Sequence, residues 1–238
     1  MYGTVLLVVV GFSVPLLRGR AAPAPEDGAQ PPARFRTALR HPAYRAALAA
    51  SFANGWAVFG VRVSLVPLFV VEALRLPDAW GGIALAVFAA GNAATLVVAG
   101  PLADRRGRRP PLLVGLLVAG VATAALGLLV QPVLFLLVSL VAGMGSGLVN
   151  PPMNAAVADV IGSRARGGTV LAGFQMAGDL GAITGPLLAG LLAETAGYPA
   201  AFAVTGLVLL AAFAWWLRAP ETLPAAPVRA PAAPPCTP

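Results

Sequence analysis

Six polar side chains stand inside otherwise apolar stretches of this chain: Arg62, Asn92, Asn150, Asn154, Gln175 and Asp179. Asp179 is the candidate proton carrier. A carboxyl group surrounded by hydrocarbon favours its neutral form, so it can take up and release a proton. The competing reading is a structural, hydrogen-bonded acid. Gln175 and Asp179 are four residues apart and share one helix face, as do Asn150 and Asn154. Amides so placed can bind a polar solute or hold helices together. Arg62 is the one charged residue within its stretch. It is expected to pair with Asp179, to bind an anionic group, or to snorkel toward the outer surface. A second cluster, "GPLADRRGRR" at 100–109, packs four arginines and one aspartate between two stretches that carry no charge.

The elements that must position these groups follow from composition. The chain has 238 residues, 58% hydrophobic and only 11% charged, against about 25% charged in ordinary soluble domains. Too few polar side chains exist to cover a globular surface, and the chain reads as an all-α integral membrane protein. Seven spans are expected: residues 2–17, 46–71, 80–103, 111–130, 133–161, 167–193 and 199–217. The first is short. Its basic flank follows it rather than precedes it, which favours a helix over a signal peptide.

All sixteen basic residues are arginine. Arg62 lies inside a span and Arg75 in one short loop. Every other arginine falls in loops that alternate spans place on a single side. By the positive-inside rule that side is the cytoplasm, with the N-terminus outside and the C-terminus inside. The net charge of +7 is therefore assigned to the lipid surface and not to nucleic acid. One histidine, His41, and one cysteine, Cys236, leave no basis for a metal centre or a disulfide framework. Residues 21–33 and 219–238 are Pro/Ala-rich and are expected to be unstructured.

The last six spans repeat a pattern of polar, polar, bland. Residues 46–71 hold Asn54 and Arg62, 80–103 hold Asn92, and 111–130 hold nothing more polar than Thr123. Residues 133–161 hold Asn150, Asn154 and Asp159, 167–193 hold Gln175 and Asp179, and 199–217 hold only Thr205. A 3+3 inverted repeat around a cavity is expected, with the bland span of each triplet facing lipid. Pro151, Pro152 and Pro186 each free a helix carbonyl, which kinks the helix or faces the cavity.

Residues 100–112, "GPLADRRGRRPPL", closely resemble the cytoplasmic loop signature of the major facilitator superfamily, G-x-L-x-D-R-x-G-R-R-x-x-L. Gly100, Leu102, Asp104, Arg105, Gly107, Arg108, Arg109 and Leu112 match it. The resemblance implies a secondary transporter working by alternating access, not an enzyme, with no cofactor and a proton gradient as energy source. In such proteins this loop latches one access state, and Asp159 is the expected latch partner. The physics of the residues agrees. Gly100 permits close helix approach, Asp104 can accept forked arginine bonds, and Gly107 allows a positive-φ turn. "AGDLGAITGPLLAG" at 177–190 and "APETL" at 219–223 resemble second-half sequences of the family. They imply the sixth helix (1–17), the central loop (18–45), a C-terminal six-helix bundle (46–218) and a tail (219–238) of a drug-efflux-like member. Gly181, Gly185, Pro186 and Gly190 also resemble a glycine–proline packing motif of the fifth helix of antiporters, which leaves the opposite half open.

The resemblance covers about half of the family's fold, so a missing N-terminal half or a second half-transporter is an expected partner, beside lipid and a small-molecule substrate. The alternatives are a truncated, non-transporting fragment and a seven-helix receptor-like protein. A retinal pump is excluded by the absence of lysine. An intramembrane serine hydrolase would need a histidine at depth, and His41 lies in a loop.

Overall fold

The computed structural model describes residues 35–162 and 167–223. The expected span 2–17, the stretch 21–33, Arg164, Arg166 and everything after residue 223 lie outside the described residues. A short helix α1 (Phe35–Ala38) precedes six long ones: α2 (Pro42–Glu72), α3 (Ala79–Arg106), α4 (Arg109–Leu126), α5 (Pro132–Ile161), α6 (Gly168–Ala196) and α7 (Tyr198–Trp216). All six are long and apolar enough to cross a membrane.

The helix pairs obey an internal symmetry. α3 packs along α5, and α2 along α6. α4 packs on α5, and α7 on α2. α4 and α7 pack on each other, and α2 touches α5. Exchanging α2, α3 and α4 for α5, α6 and α7 leaves this set of pairs unchanged. Three crossings separate equivalent helices, so they run in opposite directions, as a 3+3 inverted repeat requires.

Small residues bring the backbones together. A Cβ on Gly181 would strike the Phe52 carbonyl, and one on Gly185 would lie 2.9 Å from the Trp56 carbonyl oxygen. Pro186 sits against Gly60 in the same seam. On the equivalent pair, Gly143 and Gly147 of α5 lie against backbone of Phe88 and Asn92. Without a hydrophobic force between helices in lipid, this closeness is what binds them. Two expected packing glycines do not pack. Gly100 and Gly190 have nothing within 4 Å of an added Cβ, because both lie toward helix ends, beyond the close crossings.

α2 is not a uniform helix. Residues Gly55–Arg62 form a π-helical stretch, and its two glycines, Gly55 and Gly60, abut α6. A Cβ on Gly55 would overlap the Gly178 carbonyl. The wider turn lets α2 follow α6 closely there, and such segments commonly lie beside functional sites.

The bland spans α4 and α7 each keep one uncovered apolar face, with Val114, Val121 and Leu207 more than half exposed. In its most apolar window α4 is 50% buried and α7 39%, against 22% for α3 and 17% for α6. The bland helices pack on each other through Gly120 and Gly206 and form the back of the bundle. The polar helices α3 and α6 stand at the flanks with one face uncovered.

Candidate functional site

Two constellations stand out, a cleft halfway along the helices and a tied turn at one end. The cleft lies between α2, α5 and α6 and has a volume of about 430 Å³. Asn54 at the entry of the π-helical stretch donates to the Asn150 side-chain oxygen at 3.2 Å, bridging α2 and α5. Asn154 donates to the backbone carbonyl of Asn150 at 2.8 Å, so two amides are anchored next to Pro151 and Pro152. From α6, Gln175 and Asp179 line the opposite wall, and both are exposed to the cleft. Phe59, Met153 and Phe174 supply the apolar remainder. Asp179 lies eleven residues beyond Gly168, roughly 17 Å along the helix at about 1.5 Å per residue, near the middle of α6.

The structure brings together four of the six polar residues singled out from the sequence, and adds Asn54 and Ser51. Asn92 and Arg62 are elsewhere. Asn92 lies where α3 crosses α5, its backbone against Gly143 and Gly147. Arg62 is 5% exposed, so it does not snorkel, and no ion pair joins it to Asp179. Its guanidinium stands 3.9 Å from the centroid of the Phe88 ring. Desolvated cation–π contacts are worth about 2 kcal/mol or more, which offsets part of the burial cost. One of its terminal nitrogens has no hydrogen-bond partner among the described residues.

The turn between α3 and α4 is tighter than the expected loop 104–110. α3 continues through Asp104, Arg105 and Arg106, and only Gly107 and Arg108 separate it from α4. Gly107 has φ 97° and ψ 161°, a region open essentially to glycine alone. Arg108 is the hub. Its Nε donates to Asp159 on α5 at 3.2 Å, and it also pairs with Asp104 one turn back. The hydrogen bonds and charges of Asp104 and Asp159 outweigh desolvation and hold the Arg108 guanidinium above its ordinary value. Asp159 accepts a second bond from Thr222 at 3.3 Å. Leu102 is half-buried, and Arg105 and Arg106 are exposed.

Glu221 lies in the "APETL" stretch, but no role for it was legible in the sequence. It lies three residues into the expected unstructured tail, yet its carboxylate accepts the backbone N–H of Arg108 at 2.8 Å and of Arg109 at 3.0 Å. It sits on the N-terminal end of α4, where orphan N–H groups and the helix dipole favour an anion. Burial alone would push its pKa up, but backbone N–H bonds from Arg109, Leu223, Arg108 and Thr222 bring it below the usual carboxylate value. Arg109 in turn donates to the Leu217 carbonyl at the end of α7. The available signals were the family-like "APETL" stretch and a carboxylate just beyond a helix end.

A model for the Major Facilitator Superfamily matches residues 2–167 and, in a second placement, 47–236. The chain belongs to the major facilitator superfamily. The two overlapping placements each cover well over half of it. Among curated relatives, it is 30% identical over 161 residues to the multidrug resistance protein MdtG of Yersinia enterocolitica, covering 66% of this chain and 38% of that protein. It is 31% identical over 161 residues to MdtG of Escherichia coli strain K12, covering 66% and 39%. The chain thus spans about two-fifths of the length of these superfamily relatives. Among solved structures, the peptide transporter POT with alafosfalin matches with TM-score 0.66 at 20% identity, covering 78% of this chain and 41% of that one. The same transporter with sulfate matches with TM-score 0.66 at 21% identity, covering 74% and 37%. These likenesses show a common fold, and the superfamily assignment agrees with a multi-pass membrane protein that is not an enzyme.

Proposed function

We propose that this chain is part of a secondary active transporter that exports small amphipathic molecules in exchange for protons by alternating access. The observation that carries the reading is the half-membrane cleft. Anchored amides, an exposed carboxylate and aromatic walls converge there on a space of about 430 Å³, within the range of small-molecule sites. Asp179 is the proton carrier and the contact for a cationic substrate group. Gln175, Asn150 and Asn154 orient the substrate, while Phe59 and Phe174 take its apolar part. The MdtG relatives carry the name multidrug resistance protein, which supports export of amphipathic compounds.

The Arg108 network holds the cytoplasmic end in one access state and yields in the other. On this reading the arginine-bearing end faces the cytoplasm, with the C-terminus inside and the N-terminus of the whole chain outside. The uncovered faces of α3 and α6 receive a second six-helix half, either the N-terminal part of a longer protein or a second half-transporter.

Energised vesicles with ethidium as the probe and a pH-sensitive dye as the readout test the proposal, using the chain with and without a co-expressed N-terminal half. Proton-driven ethidium accumulation is expected when both halves are present. Asp179→Asn is expected to lower it at least tenfold, and Asn150→Ala to weaken it by raising the half-saturating concentration. Unchanged accumulation in Asp179→Asn would remove Asp179 from the coupling role.

A further inference from the structure

A second cleft, of about 490 Å³, opens between the first turn of α2 and the last turn of α7. Arg45 and Arg218 line it, with Trp215, Ala211 and Ala214 as neighbours and no carboxylate among the lining residues. It is separate from the mid-membrane cleft, to which α7 contributes no residue. We propose that it binds the headgroup of an anionic phospholipid.

Level, charge and shape support this occupant. α2 has 31 residues, about 46 Å at 1.5 Å per residue, which exceeds the hydrocarbon thickness of about 30 Å. Its first turn therefore emerges among the headgroups, and Arg218, just past the end of α7, does so beside it. Both arginines are exposed, and among the described residues neither forms an ion pair. Two guanidinium forks on one concave surface match the oxygens of one phosphodiester. Trp215 is 51% exposed, and its amphipathic ring suits the membrane–water boundary. Ala211 and Ala214 have side chains too small to fill the face of α7 below the arginines, and the furrow left there suits an acyl chain. Arginines serving only as topological anchors would need neither a shared cleft nor small residues beneath it.

Quenching of tryptophan fluorescence in reconstituted vesicles tests the site. The chain is placed in phosphatidylcholine containing a minor fraction of dibrominated phosphatidylglycerol, and compared with the same fraction of dibrominated phosphatidylcholine. Preferential quenching by the anionic lipid is expected, and Trp215→Phe should abolish most of it. Arg45→Gln with Arg218→Gln should reduce the preference roughly tenfold to thirtyfold, given about a fivefold effect per basic residue near an anionic surface. Ala211→Leu, which keeps the charge and fills the furrow, should also reduce it. Arg36→Gln with Arg40→Gln, an equal loss of nearby exposed charge, should not. Glycerol phosphate in the buffer should leave the quenching unchanged. An equal effect of the Arg36/Arg40 pair would reduce the site to general surface charge. Displacement by glycerol phosphate would make it a soluble-phosphate site, and no preference at all would mean that another part of the protein covers it. Each of these results overturns the proposal.

Discussion

The two ends of the bundle carry the same construction in different chemistry. At one end α3 turns into α4 through Gly107, and Arg108 reaches Asp159 near the end of α5. At the other, α6 turns into α7 through Gly197, and the Tyr198 hydroxyl donates to Glu72 at the end of α2. Under the exchange of triplets α4 becomes α7 and α5 becomes α2, so the two contacts are counterparts. Even the turns correspond. An acidic residue, Asp104 or Glu194, lies three positions before a glycine with φ 97° or 84°, and prolines follow in the next helix. The charged end adds what the other lacks, a second carboxylate on the hub and Glu221 on the helix terminus. A duplicated scaffold thus supplies the positions, while side-chain chemistry decides how firmly each end is tied.

The largest difference between the ends should come from the two turn glycines. Gly107→Ala puts a side chain into a glycine-only conformation and within 2.5 Å of the Glu221 carboxylate. A loss of about 3 kcal/mol is expected, since such backbone strain alone costs about 1–3 kcal/mol. Gly197→Ala meets only Pro199 Cδ at 3.6 Å, so it should lose the strain alone, about 1–2 kcal/mol. Thermal unfolding in detergent measures both. Equal losses would mean that Glu221 does not occupy the space over Gly107.

The hubs should differ less. Arg108→Gln removes the partner of Asp159, whose side chain is 16% accessible, and of Asp104, whose side chain is 68% accessible. The exposed pair contributes little, and a loss of about 2 kcal/mol is expected from the Asp159 bond, in the range for hydrogen bonds to charged groups. Tyr198→Phe should cost about 1 kcal/mol, because the ring keeps its edge-on contact with Phe69 and only the hydrogen bond is lost. If the two ends gate opposite access states, Arg108→Gln and Tyr198→Phe should also shift cysteine accessibility of the mid-membrane cleft in opposite directions. A shift in the same direction would separate the structural likeness from any shared gating role.

How much of this was legible beforehand divides along physical lines. The six spans and the inverted repeat were readable, because long apolar stretches and the polar–polar–bland order are properties of consecutive residues. So were the cleft residues on α5 and α6, since spacing of four places two polar groups on one face wherever the helix goes. The pairing of Arg62 with Asp179 was not found, because its guanidinium lies against the face of Phe88. How the bland spans divide between lipid and helix packing was not legible, because hydrophobicity does not distinguish lipid from another apolar helix. Glu221 was hidden for a different reason. Its partners are backbone N–H groups, which every residue carries, at positions 113 and 112 residues away in sequence.

The smallest expected effect tests that hidden residue. Glu221 is held by N–H groups in the fold, which lowers its pKa from 4.5. A depressed carboxylate stabilises the fold above its unfolded pKa and ceases to do so as pH falls through the folded value. The contribution is therefore complete at neutral pH and is lost progressively as pH falls below about 4.5 and through the folded value. The group is largely solvent-accessible, so the effect should be under about 1 kcal/mol, as for other charges at helix termini. Glu221→Gln keeps the shape and removes the charge. It should lower the unfolding temperature slightly at pH 7, and the gap to the parent chain should narrow as pH is taken progressively below about 4.5. No acidic group of the α6–α7 turn accepts backbone N–H bonds of α7 among the described residues. Glu194→Gln should accordingly show no such pH-dependent gap, and a gap of equal size there would mean that the two ends are tied alike.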